Sequence, residues 1–223
     1  MFALILLAAA SGISYPPEDY QLVKTQESPK HTFLVEIYQK HIESEFTPCV
    51  WLVTPDHSRT ELLVSSDELT PLYPVAISVS PDEHWILREQ KLYHGADAFS
   101  LYEHSGELHY KEIGAPIFSQ QAWRFFAEQT HRTFTTDYKH IMRVSDWPIP
   151  GSRVRKVALY GDAQQTSITT PNDHSLAISL TGDDQKTSVI FWYCYYDLEK
   201  HHFYLDASLQ EHNRSSISPS HDK

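Results

Sequence analysis

Ser80-Pro81-Asp82-Glu83-His84 is followed directly by the apolar segment Trp85-Ile86-Leu87, and this stretch is the clearest indication of the fold class. A proline at the second position presets the φ angle of a type I turn, and the aspartate after it can hydrogen-bond its own backbone. The stretch therefore predicts a tight turn that leads into a β-strand. The same pattern starts at Ser28-Pro29 and at Thr170-Pro171, so we expect three copies of one structural unit.

Each copy continues with a second pair of strand-like runs joined by a polar loop of four or five residues. These loops are 54–58, 103–107 and 197–200, and loops of this length are typical of antiparallel hairpins. Leading strands are predicted at 20–24, 74–79 and 154–160. Each unit is therefore predicted to be a four-stranded meander.

Residues 74–114 also carry a resemblance to a known family. Ser80-Pro81-Asp82-Glu83, with Tyr102-Glu103 and Ser105-Gly106-Glu107 after it, resembles the Ser-Pro-Asp-Gly repeat of TolB-type β-propellers. The resemblance implies propeller blades, although Glu83 and Asp173 occupy the position of the family's turn glycine. Propellers carry four to eight blades, so three units do not make a complete propeller in one chain. Hairpins of another antiparallel sheet or a sandwich are the alternative.

Between the second and third units the pattern changes. Phe118, Ala122, Phe125, Phe126 and Gln129 share one face of a helix, which Ser119 is predicted to cap. The sequence thus predicts a mainly β protein of antiparallel meanders, in three blade-like units with one inserted helix. The predicted divisions are two β-meander units at 15–114, a helical insert and linker at 115–150, a third unit at 151–210 and a flexible tail at 211–223.

Residues 1–14 have the layout of a short secretory leader, with an apolar run at 2–10 followed by small residues. The run is too short to cross a bilayer as a helix, so no transmembrane helix is expected. The sequence predicts export to the periplasm or the outside of the cell. A buried N-terminal element or a misassigned start codon is the alternative, because no Lys or Arg precedes the run.

The formal net charge of −11, with only 18 Lys and Arg residues, argues against nucleic acid as a partner. A nucleic-acid surface needs a basic stripe that displaces counterions from phosphates.

Cys49 and Cys194 are the only cysteines in the chain. An oxidising compartment would let the two form a disulfide, and the alternative is a pair of buried free thiols.

Histidine is abundant, with 14 residues, and the best candidate for a metal site is His41-Ile42-Glu43-Ser44-Glu45. On a single extended strand, His41, Glu43 and Glu45 would share one face and offer an imidazole and two carboxylates to a divalent metal. A solvated polar face produces the same alternation.

The densest aromatic run is 189–196. One interpretation is an open platform for a carbohydrate or peptide, with Trp192, Tyr193 and Tyr195 as the ligand-binding residues. The other is a strand buried on both faces.

No hydrolase elbow and no phosphate-binding loop is present, and no cofactor is predicted. The sequence therefore favours a noncatalytic, exported binding or assembly protein whose ligand is an unidentified protein or carbohydrate. A homodimer that pairs three units from each chain into a larger ring is a corollary. The alternative is an envelope hydrolase or a metal-dependent enzyme whose residues meet only in space. Asp and His residues beside the Pro turns would meet at one rim if the units were arranged radially.

Overall fold

The computed structural model describes residues 15–42, 45–64, 74–93, 96–113, 117–132, 139–158, 165–183 and 187–219. The predicted fold class is confirmed, because the protein is mainly β, with 55% of its residues in strands and no closed barrel among the residues described. The strands of the described ranges form sheets of four, nine and two strands.

The first two units are four-stranded meanders, as the sequence predicts. The strands of the first unit are β1 (Gln21–Glu27), β2 (Leu34–Ile42), β3 (Glu45–Val53) and β4 (Thr60–Val64). Those of the second are β5 (Val75–Val79), β6 (Trp85–Tyr93), β7 (Ala96–Gly106) and β8 (His109–Glu112). In both units each strand pairs antiparallel with the next one along the chain.

The turns that open β2, β4 and β6 share one hydrogen-bond pattern. The N–H of Ser28, Thr54 or Ser80 donates to the carbonyl five residues later, at 2.9, 3.0 and 2.9 Å. The hydroxyl of the same residue accepts a backbone N–H from the start of the following strand. The fourth turn residue, His31, His57 or Glu83, has a φ of 61°, 56° or 59°. This left-handed conformation explains why glycine suits the position.

The third unit differs from its prediction. Its strands are β12 (Ser175–Asp183), β13 (Thr187–Asp197) and β14 (His202–Tyr204), and its leading strand is β9 (Lys139–Val144), which pairs with β12. The predicted leading strand, β10 (Val154–Ala158), instead pairs with β11 (Gln165–Thr169) in the separate two-stranded sheet. The Thr170 N–H donates to the Arg153 carbonyl, so the turn there is anchored to β10 and does not repeat the pattern of the other turns.

The inserted helix, α1, spans Phe118–Thr130 and buries Phe118, Ala122 and Phe126, in agreement with its predicted face. Ser119 does not cap it. The N-cap residue is Ile117, and the Ser119 hydroxyl accepts the N–H of Phe99 on β7. This bond fixes the start of the helix against the second unit.

The segment expected to be a flexible tail is structured up to Pro219. A second helix, α2 (Ala207–Asn213), is capped by Asp206 and buries Leu209, and β15 (Ile217–Pro219) pairs with β13. Within the segment, only 220–223 lie outside the described residues.

The apolar faces of neighbouring units pack in successive layers, and the second and third units also share one sheet because β9 pairs parallel with β7. Phe33 and Leu52 of the first unit pack with Ile86 of the second, whereas the opposite face of the second unit packs through Phe99 against α1 and the third unit. The far face of the third unit is covered by β10, β11 and α2. The outer face of the first unit, with Trp51 buried, is covered by the segment that contains Tyr15. The stack therefore brings the turns of the second and third units to a common rim.

Candidate functional site

A cleft of about 480 Å³ opens at the rim where the second and third units meet, and we call it the rim cleft. It is built from the turn before β6, the end of β7, the linker after β9, the turn before β12 and the turn between β13 and β14. Its volume lies within the range of small-molecule sites in proteins. The convergence of Asp and His residues beside two of the Pro turns is thus observed.

Four carboxylates line the rim cleft, from Asp82, Glu103, Asp173 and Glu199. Burial acts to raise the pKa of Asp82, but hydrogen bonds from the Ser80 hydroxyl and the His84 N–H outweigh it, so the pKa lies below its ordinary value. The Gly151 N–H, 3.0 Å from the Asp173 carboxylate, lowers the pKa of that group. Both aspartates are therefore ionised at neutral pH.

Three imidazoles alternate with these carboxylates. Nε2 of His84 and Nε2 of His201 lie 3.3 and 3.6 Å from the same oxygen of Glu103. The indole of Trp85 packs edge-on against both rings, with centroids 5.2 and 5.6 Å away. Glu103 thus joins the second unit to the turn between β13 and β14 in the third.

His174 completes the titratable lining of the rim cleft. Its two ring nitrogens face the carboxylates of Asp173, at 3.2 Å, and Glu199, at 3.4 Å. The described residues of the lining include no Lys or Arg side chain.

One wall of the rim cleft is formed by Trp147, Pro148 and Pro150 of the linker after β9. The indole N–H of Trp147 donates to the Ser78 hydroxyl on β5 at 2.8 Å, which fixes the half-buried ring between the two units. A second cleft of about 590 Å³ lies on the other side of this ring, and Pro81 and Trp147 line both clefts. We call it the side cleft.

The aromatic residues chosen from the sequence lie elsewhere. Trp192, Tyr193 and Tyr195 on β13 are each no more than 2% exposed. Trp192 packs against α1, and the two tyrosines pack against the layer formed by β10, β11 and α2. The strand is therefore buried on both faces and is not an open platform.

The metal candidate does not lie on a single strand. His41 belongs to β2 and Glu45 to β3, and Glu43 lies outside the described residues. The single extended strand that would align the three residues is thus absent. Over the ranges the structure covers, no group of three His, Cys, Asp or Glu side chains has a geometry suited to a metal ion.

Cys49 and Cys194 are both buried and have free thiols. Cys49 packs in the layer on the outer face of the first unit, whereas Cys194 packs between the second and third units. The two side chains therefore belong to different layers of the stack. The structure thus has two buried free thiols, which is the alternative to a disulfide.

The sequence singled out the Asp and His residues beside the Pro turns but missed Glu103, Trp147 and His201. The usable signal for Trp147 was its position in a Pro-rich linker, where a large aromatic ring has no strand or helix to bury it. Glu103 and His201 carried no such signal, because the third unit places them together only after packing.

No protein-family model and no curated protein sequence shows significant similarity to the chain. Among the described residues, no helix has the length and apolar character needed to cross a membrane.

Proposed function

We propose that the protein is an exported, noncatalytic binding module and that the rim cleft is its binding site. The observation that carries the proposal is the convergence of five chain segments on one concave site that combines an indole wall with ionised carboxylates. Binding sites pair apolar walls, which supply contact area, with a few polar groups that orient the ligand.

The turn chemistry supports binding over catalysis. The Ser80 hydroxyl accepts the Trp85 N–H at 2.9 Å and donates to Asp82, so it is held by the turn and is not activated by a nearby imidazole. Asp82 is kept ionised by the Ser80 hydroxyl and the His84 N–H, and Asp173 by the Gly151 N–H, which suits fixed charges and not a general acid.

The three units are proposed to be blades related to those of TolB-type propellers. The shared turns that open β2, β4 and β6, and the packing of neighbouring units through their apolar faces, support this relation. Ring closure by a second copy would need faces other than those covered by Tyr15 at one end and by β10, β11 and α2 at the other.

A crystallographic fragment screen on the full chain tests the rim cleft as the binding site. We expect fragments to occupy the rim cleft, and a screen whose hits all lie elsewhere would overturn the proposal.

Export is proposed from the apolar run near the N-terminus. The intact mass of the protein expressed with its native N-terminus, measured in separate cell fractions, tests it. A species shortened by 10 to 14 residues in the exported fraction is expected, because cleavage is predicted after Ala10 or Ser14. A full-length cytosolic species would contradict export.

A hydrolase is the second candidate, and the pairing of His84 with Glu103 favours it. A carboxylate beside one ring nitrogen can orient an imidazole so that the other nitrogen takes a proton from water. The candidate predicts turnover of ester or peptide substrates that His84→Ala abolishes and His109→Ala, at an exposed site in the second unit, leaves intact. Absence of turnover in the wild-type protein would remove the hydrolase.

A further inference from the structure

The rim cleft and the side cleft adjoin each other, because Pro81 and Trp147 line both of them. The lining of the side cleft is mixed, and Leu87, Val144 and Ile149 are among its apolar residues that are not fully buried. Ile149 is 57% exposed, so an apolar surface is accessible beside the charged cleft. A ligand that is longer than a single residue can therefore contact both sides of Trp147.

The charge of the rim cleft selects the ligand. Among the residues that the structure describes, its lining contains four carboxylates and neither Lys nor Arg. Two lysines next in sequence or in contact with lining residues have other partners: Lys200 Nζ lies 3.3 Å from Asp197, and Lys30 Nζ donates to the Asp82 carbonyl oxygen at 2.9 Å. Arg155 is buried, and its Nη1 donates to the Ser152 carbonyl. The rim cleft is thus complementary to a cation.

The side cleft is less charged than its lining first indicates. The Arg143 guanidinium is paired with Asp97 and lies 3.7 Å from Glu89. Arg143 is thus paired with carboxylates, and Asp146 adds a further carboxylate to the lining, so the side cleft carries no unpaired positive charge among its described residues. Its accessible apolar contacts include Leu87, Ile149 and the Trp147 ring.

From this arrangement we propose that the ligand is a peptide whose Arg or Lys side chain lies in the rim cleft and whose neighbouring apolar side chain lies in the side cleft. The inference rests on the proposed function. Carboxylates bind guanidinium groups through short, charge-assisted hydrogen bonds, and an indole face attracts a cation. Trp147 lies between the two clefts and can contact both parts of such a peptide.

Synthetic peptides test the proposal on the full chain by calorimetric titration. The probe is acetyl-Gly-Arg-Leu-Gly-amide, and its matched control replaces Arg with citrulline, which keeps the shape and removes the charge. We expect the Arg peptide to bind about tenfold more tightly than the citrulline peptide, because hydrogen bonds to charged groups are the stronger ones. Replacing Leu with Gly is expected to weaken binding several-fold, at the low end of the effect of burying an aliphatic side chain.

Two protein variants show where the charge is recognised. Glu199→Gln removes an exposed carboxylate of the rim cleft, and Glu211→Gln removes an equally exposed one on α2. We expect the preference for Arg over citrulline to fall in the first variant and to persist in the second. Equal affinity for the two peptides, or equal loss in the two variants, would overturn the proposal.

The peptide proposal can fail separately from the proposed function. If fragments occupy the rim cleft but neither peptide binds, a basic peptide is not the ligand while the binding site stands. If neither fragments nor peptides occupy the cleft, both proposals are wrong.

Discussion

The carboxylate of Glu83 accepts the backbone N–H of Lys30 at 2.6 Å, so the turn that opens β6 is bonded directly to the equivalent turn of the first unit. A second bond comes from the Thr32 hydroxyl. Glu83 is 8% exposed and has a φ of 59°, a conformation that glycine adopts without strain. A glutamate at this position is therefore strained where glycine would not be, but its carboxylate connects the two units.

Glu83→Gly is expected to destabilise the protein although it relieves the backbone. The strain relieved is about 1 kcal/mol, whereas two hydrogen bonds to a charged group contribute roughly 1.5 to 3 kcal/mol each. We expect a net loss of about 2 to 5 kcal/mol in the free energy of unfolding, measured by chemical denaturation. The control is His31→Gly at the equivalent left-handed position, where the exposed pair with Glu27 contributes little. That variant is expected to gain up to about 1 kcal/mol. A stabilised Glu83→Gly protein would contradict the role of the connection.

The same connection predicts a dependence on acid pH. Burial acts to raise the pKa of Glu83, but its hydrogen bonds with Ser28, Thr32 and Lys30 outweigh that effect, and the pKa lies below its ordinary value. The stabilisation is therefore present above about pH 4.3 and is lost as the pH falls through the lower pKa of the folded state. Glu83→Gln should show a smaller loss of stability than the wild-type protein between pH 5 and pH 3 (about the range where such carboxylates titrate). An unchanged pH profile would exclude Glu83 as a source of acid sensitivity.

Trp192 is a buried core residue, and its truncation is predicted to destabilise the protein. Its ring lies 5.2 Å from that of Phe126 and 6.1 Å from that of Phe125 on α1, measured between centroids. Trp192→Ala should lower the free energy of unfolding by about 3 to 5 kcal/mol, as expected for truncation of a buried aromatic side chain. Trp147→Ala, at the half-buried wall of the rim cleft, should cost less stability and change ligand binding instead. The reverse ranking in thermal denaturation would contradict this division.

The thiols are expected to be unreactive in the folded protein. Both are buried, and burial raises the pKa of Cys49 to about 11 and that of Cys194 above its ordinary value. Since the thiolate is the reactive form, neither cysteine should be alkylated in the native state at pH 7.5 (about one unit below an ordinary thiol pKa). Both should be alkylated in denaturant without a reductant. Modification that appears only after reduction would show a disulfide.

The sequence determined the hairpins but not the composition of the third unit. The turn chemistry at Ser28, Thr54 and Ser80 is local, so it could be recognised without the fold. The choice between β9 and β10 as the partner of β12 depends on packing, because both are short strands with suitable residues. The linker that contains Trp147 lies between these strands. The wall of the rim cleft that contains Trp147 could therefore not be predicted from the sequence, because its position depends on the pairing of β9 with β12.

Alkaline pH should unfold the protein through its buried tyrosine and cysteine side chains. Burial, with Coulomb repulsion from Glu103 and Asp197, raises the pKa of Tyr196 to about 12, and burial raises that of Cys49 to about 11. The unfolded chain loses these protons first, so it binds fewer protons than the folded protein above its ordinary pKa values. The stabilisation that comes from these protonated side chains is complete below about pH 9, and it is lost as the pH rises through 11 and 12. Tyr196→Phe, which keeps the ring beside Phe118 and removes the ionisable group, should shift the alkaline midpoint upward in a circular-dichroism titration. An unchanged midpoint in this variant would contradict a specific contribution from Tyr196.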